Sequence, residues 1–151
     1  MCVLVAGILS CGTAAGRPVK AAEPAASPPA LSGLWLSQDH DGVFRIEQCG
    51  DVLCGQLVAM RYDGSVPPLD RQGQSQCGLT MLTGFKRDED DPARWNGHIL
   101  DPTSGRVYHA QIWSPRPGEL NLRGYLFLPL FGQTQHWTRF RGRIGPQCRL
   151  G

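Results

Sequence analysis

A chain of 151 residues with a formal charge of +2 has room for one domain with a substantial core, and not for a second. The excess charge comes from Arg17 and Lys20; from Glu23 onward 13 basic residues face 13 acidic ones, which excludes nucleic-acid binding by bulk charge. With 19 Gly and 12 Pro the chain is interrupted too often for long helices, so composition points to short strands joined by turns.

Residues Met1 to Ser10 (MCVLVAGILS) are too short an apolar run to span a bilayer but suit the core of a secretory signal. No positive charge precedes that core, so either the true start lies upstream, the favoured expectation, or the leader is a poor one. Two exits follow. Ile8-Leu9-Ser10-Cys11 loosely resembles a bacterial lipobox, which would anchor the protein to a membrane through Cys11. Cleavage between Ala14 and Ala26 would instead release a soluble protein. The expected organisation is a leader over 1–22, a Pro/Ala-rich linker over 23–30, a β-barrel domain over 31–143 and a tail over 144–151. The expected location is the periplasm or the outer membrane.

Export makes disulfides the default use of cysteine. Cys2 and Cys11 belong to the leader, leaving Cys49, Cys54, Cys77 and Cys148, which allow three pairings. Cys49 and Cys54 flank a four-residue hairpin loop and can face each other on adjacent strands as a structural staple. Cys77 and Cys148 would tie the tail to the long loop if they pair, and the sequence leaves that open.

In chain order, strands are expected at Leu31–Ser37, Val43–Gln48, Val52–Met60, Leu79–Lys86, Arg94–Leu100, Arg106–Ser114, Glu119–Leu128 and Gln133–Arg143. Turn clusters such as Gln38 to Gly42, Asp88 to Pro92 and Asp101 to Gly105 separate them. Leu120, Leu122 and Gly124 share one strand face, as do Gln133, Gln135 and Trp137. Alternation in the last strand would put Arg139, Arg141 and Arg143 together on a basic face. Arg61 to Gly78 is one long irregular stretch, read as a lid. Eight strands let an antiparallel barrel close around side chains or one small ligand, so the fold class is all-β, a single eight-stranded barrel.

Three blocks resemble the bacterial domain-of-unknown-function family 2147: CGDVLCG at Cys49 to Gly55; the run from Leu82-Thr83-Gly84-Phe85 through Trp95 to Pro102, with Gly105 and Tyr108; and LRGYLFLPLFGQTQHWTR at Leu122 to Arg139. The resemblance implies an exported domain with a lipocalin-like barrel and names no reaction. Family members usually carry an Arg where Gln133 stands, so a role resting on that Arg is in doubt in this chain. Separately, Gly33-Leu34-Trp35 on the first strand and an Arg on the last are similar to the lipocalin arrangement in which Arg packs across Trp at the closed end. Here Arg139, or failing it Arg123, would make that contact, and Gly33, Trp35 and Arg139 are read as structural.

The groups a ligand would meet are read as Arg123, Tyr125, His109, Gln135 and Trp113, with the site at the end opposite Trp35 and beneath the long loop. Such a pocket would take a small, partly apolar ligand, an anionic one if Arg123 faces it. One alternative is a filled barrel that acts as a structural or envelope-interaction protein through its surface, its loop or its basic tail. A second is a metal-dependent enzyme built on His98, His109 and His136. No two His have the short spacing of a zinc motif, and no cofactor is expected. Nucleophile-elbow and phosphate-loop patterns are missing.

Overall fold

The computed structural model describes residues 30–151, so the expected leader and most of the linker, with Cys2 and Cys11, lie outside the described residues. Eight strands follow in order: β1 (Gly33–Leu36), β2 (Gly42–Cys49), β3 (Val52–Met60), β4 (Thr80–Arg87), β5 (Arg94–Leu100), β6 (Val107–Trp113), β7 (Glu119–Tyr125) and β8 (Gln133–Arg139). Each pairs antiparallel with its neighbour, and β8 returns to β1 through Trp35↔Arg139 and Leu36↔Thr138, closing the barrel.

Up-and-down connectivity sorts the connections between two ends. One end collects the chain entry at Gly33, the hairpins after β2, β4 and β6, and the exit after Arg139. The other collects the turn after β1, the long loop after β3, the turn after β5 and the corner after β7. At the first end Leu31, only 4% exposed, packs into the core. It is pinned there by the Trp35 indole N–H, which donates to its carbonyl at 2.8 Å. The Arg139 guanidinium lies 3.8 Å from the centroid of the Trp35 ring and donates to Ser32 O at 2.6 Å and Ala30 O at 3.0 Å. Gly33 is required where it stands. Its φ of 122° lies in the left-handed half, and a Cβ there would run into the Arg139 guanidinium.

The alternation read from β6 to β8 holds. Ala110 and Ile112, Leu120 and Leu122, and Trp137 are buried inside, with their sequence neighbours outside. In β4 strict alternation fails: Leu82 and Phe85, three residues apart, are both buried. Gly84, at φ 66°, makes a bulge at which the pairing with β5 shifts, and the extra residue turns both side chains inward. Phe85 then occupies the space over Gly97, where an added Cβ would lie 2.6 Å from the ring and 2.7 Å from Thr83 O.

Four strands are shorter than expected: β1 spans Gly33–Leu36 rather than Leu31–Ser37 and β6 spans Val107–Trp113 rather than Arg106–Ser114, while β7 and β8 fall short by more. β7 stops at Tyr125 rather than Leu128 because Leu126 to Gly132 make a corner around a 3-10 turn at Pro129–Phe131, where proline has no N–H to continue a ladder. β8 stops at Arg139 rather than Arg143. The Phe140 N–H donates to Leu34 O of β1, and the chain then crosses from the closed end to the far end of β3, where the Leu150 N–H donates to Met60 O. The expected basic strand face therefore does not form. Arg149 instead lies 4.1 Å from the Tyr62 ring centroid and donates to Tyr62 O at 2.9 Å and Gly64 O at 2.7 Å.

Disulfides Cys49–Cys54 and Cys77–Cys148, with Cα atoms 5.9 and 5.7 Å apart, staple the β2–β3 hairpin and join the tail to the long loop. Chain-entropy arguments favour the second, whose partners are 71 residues apart against 5 for the first. Closing the longer loop is worth about 4 kcal/mol and the shorter about 2 kcal/mol. Replacing Cys77 and Cys148 with alanine should therefore lower the denaturation midpoint more than replacing Cys49 and Cys54. Gly97→Ala should cost roughly 1–3 kcal/mol, because backbone on one side and the Phe85 ring on the other leave the methyl no room; equilibrium urea unfolding measures it.

Candidate functional site

Large side chains fill the barrel from the Trp35 end upward. Trp35, Phe85, Leu53, Ile112 and Leu120 are fully buried, and Phe44 stacks on Trp137 with ring centroids 4.5 Å apart. Above Trp137 the inward positions become small or polar: Gly124 on β7, with Gln135 and Gln133 on β8. The lumen opens there into a cavity of about 760 Å³, lined by Ile99, Asp101, Tyr108, Leu122, Gly124, Tyr125, Leu126, Phe127, Gln133 and Gln135. That volume lies in the range of small-molecule sites.

Its chemistry is apolar with a few polar groups. Gln135 Oε1 accepts from the Trp137 indole N–H at 2.8 Å, which fixes the amide so that its NH₂ is the group left for a ligand. Asp101 Oδ1 accepts from Thr103 N at 2.9 Å, and Oδ2 from the Ser104 hydroxyl at 2.6 Å. The Ser104 hydroxyl above all, and then the backbone N–H groups of Thr103 and Ser104, hold the Asp101 carboxyl below the usual carboxylate range. The rim is strongly apolar: Phe127 is 89% exposed, with Leu126, Leu128 and Leu130 beside it on the corner after β7.

Of the five residues read from sequence as ligand contacts, Gln135 and Tyr125 border the cavity. Arg123, His109 and Trp113 do not, because they alternate with the inward Gly124, Ala110 and Ile112 and so stand on the outer wall. Arg123 has no carboxylate partner among the described residues. It donates to the Thr134 hydroxyl at 2.6 Å, to Leu130 O at 3.1 Å and to Pro129 O, folding the corner back on the barrel. Trp113 carries the Arg94 guanidinium 4.2 Å from its ring centroid. With Arg123 outside and Asp101 at the mouth, the expectation of an anionic ligand does not fit this cavity. Ile99, Asp101, Tyr108 and Gln133, which the sequence reading does not single out, also line the cavity; Ile99, Tyr108 and Gln133 have the inward parity of their strands, and Asp101 follows in the turn after β5.

The long loop stands at the open end, as expected, but not over this cavity. Arg61, Pro68 and Gln76 border a separate cavity of about 230 Å³ with Phe44, Leu57, Met60 and Met81. Its contact with the main mouth is lateral, through Arg71 N to Pro102 O at 2.9 Å. Of the three histidines read as a cluster, His98 and His109 meet, with ring centroids 5.1 Å apart, whereas His136 is turned to Asn121, its Nδ1 2.6 Å from Asn121 Oδ1.

The low Asp101 pKa has a measurable consequence. A carboxyl whose folded pKa is depressed contributes stability that is complete above its unfolded pKa, about 3.9, and is lost as pH falls through the folded value. Thermal unfolding of Asp101→Asn beside the parent protein should therefore show a gap at neutral pH that narrows as the pH drops below about 3.9. A pH-independent gap would mean that the charge contributes nothing.

No curated protein matches this chain. Among solved structures, it is similar to a Helicobacter pylori protein described as "Protein HP1028 from the human pathogen Helicobacter pylori belongs to the lipocalin family". The TM-score is 0.62 at 16% identity, covering 74% of this chain and 83% of that one, a likeness of fold. The family model described as "Uncharacterized protein conserved in bacteria (DUF2147)" matches residues 33–139, from the glycine under Arg139 to Arg139 itself. With that span, from the first strand of a closed lipocalin-like barrel to the last, the chain belongs to the DUF2147 family.

Proposed function

We propose that the protein is an exported binding module that holds one small, partly apolar, neutral or cationic ligand in the open end of its barrel. The observation that carries this reading is the abrupt change of lumen filling above Trp137, where Gly124 and two glutamines replace bulky apolar side chains. Apolar walls from Ile99, Leu122 and Phe127 would supply affinity. The Gln135 amide, the Tyr108 hydroxyl and the Asp101 carboxylate would orient the ligand. An anionic ligand would have to enter past Asp101, which disfavours it.

Two disulfides support an oxidising compartment. We place the protein in the periplasm or at the outer membrane, carried there by the leader expected over residues 1–22. The mass of the mature chain distinguishes a lipid-modified Cys11 from cleavage between Ala14 and Ala26.

The alternative of a filled barrel acting through its surface would draw on the exposed corner at Leu126 to Leu130. It draws less on the basic tail, since Arg139 and Arg149 are engaged with Trp35 and Tyr62.

Native mass spectrometry of the protein expressed to the periplasm should find a bound small molecule. Gly124→Phe tests where it sits: a Cβ at Gly124 meets nothing closer than Ile99 Cγ2 at 3.8 Å, so the ring can enter the cavity without breaking the wall. This variant should keep its denaturation midpoint while losing the ligand at least tenfold. Trp113→Ala, on the outer wall, should retain it. Wild-type protein that carries no ligand and takes up no apolar fluorescent probe would favour the filled-barrel alternative.

A further inference from the structure

The outer wall carries a second arrangement, whose two histidines do not line the cavity and meet it only through Tyr125. His98 on β5 and His109 on β6 are direct cross-strand partners. Both side chains point outward, since they alternate with the inward Gly97 and Ile99 on one strand and with the inward Tyr108 and Ala110 on the other. Both are exposed. Their ring centroids are 5.1 Å apart with planes tilted by 43°.

Two imidazoles bound to one metal in adjacent positions, with bonds of about 2.0 Å, bring their centroids to roughly 4.5–5.3 Å. The pair therefore already stands at a chelating separation, and little sheet movement is needed to close it. Tyr125, the partner of His109 on β7, stacks on the far side of that ring with centroids 5.6 Å apart and limits its rotation. The other flank of His98 is the partner position Thr83 on β4. Neither histidine is used in an ion pair: the salt bridges among the described residues, Arg94–Asp91 and Arg116–Glu119, lie elsewhere.

We propose that His98 and His109 form a two-histidine site for a divalent transition metal, copper(II) before zinc(II). Neutral imidazole suits both ions, and for a given nitrogen site copper(II) binds most tightly of the first-row divalent ions. Two cis nitrogens leave the remaining positions to water, a set that copper(II) accepts in its tetragonal geometry. Sheet register holds the donors opposite each other, so binding orders two side chains and no backbone. His136, fixed on Asn121 beyond this row, and His40, in the turn after β1, take no part.

The test titrates copper(II) alone into the disulfide-intact protein and reads affinity together with the electron paramagnetic resonance spectrum. One copper should bind with hyperfine splitting from two imidazole nitrogens. His98→Ala and His109→Ala should each weaken binding at least tenfold and reduce the spectrum to that of a single nitrogen, whereas His136→Ala should change neither. Zinc should compete, more weakly. Far-UV circular dichroism of each variant confirms the barrel, and His98→Gln and His109→Gln repeat the loss with a polar side chain kept in place. Single variants that bind copper as tightly as the parent, or a parent spectrum without two imidazole nitrogens, would overturn the site.

Discussion

Everything in this fold depends on how the barrel is closed at its first end. β1 contributes four residues and only two of them pair with β8, so the seam between first and last strands is the weakest part of the ladder. Arg139 compensates by bonding across it, stacking on Trp35 and taking the carbonyls of Ala30 and Ser32. A guanidinium over a Trp face adds about 0.5–2 kcal/mol beyond its hydrogen bonds. Burial, and next the neighbouring charge of Arg141, lower the Arg139 pKa, which records that this cation is partly withdrawn from water. The carbonyls and the indole face stand in for that lost solvation, and no carboxylate is needed.

Closure at one end shapes what the other can be. With Leu31 folded under Trp35 and the lower lumen filled, apolar burial is concentrated where the strands begin and end. The upper lumen can then remain open at little cost, because the seam is already held. The long loop after β3 is held in the same economical way. Cys77–Cys148 and the Arg149–Tyr62 contact fix it from outside, leaving the β5 to β8 side of the mouth uncovered. The exposed corner beside that mouth is shaped by Arg123, a residue that touches no part of the cavity.

The outer wall has an order of its own. Arg94 bonds Gln111, Gln111 bonds Asn96, and Asn96 bonds Asp88, running from β6 across β5 to the turn after β4. Accepting from the Asn96 amide and from the N–H groups of Asp90 and Asp91, Asp88 is held below the usual carboxylate range, with the Asp91 N–H the largest cause. Polar side chains on a sheet face therefore need not signal a ligand. Most here pair with one another, which sets His98 and His109 apart from their neighbours.

Composition, turn residues and period-two alternation determined the class of fold, the strand count and the faces of β6 to β8, because those features are local: a side chain's face follows from its parity. The same parity sends Arg123, His109 and Trp113 outward, against what their residue chemistry alone suggests. Gln135 was legible, lying two residues before the core Trp137. Other features depended on partners distant in sequence. The Gly84 bulge reverses parity within one strand. The exit after Arg139 follows from the end of β1, more than a hundred residues earlier. The joining of His98 to His109 without His136 is decided by register between strands. A strand's own residues say which face each one takes, but not which residue of the next strand stands beside it. That second fact made both the cavity and the histidine pair, and only the closed barrel decided it.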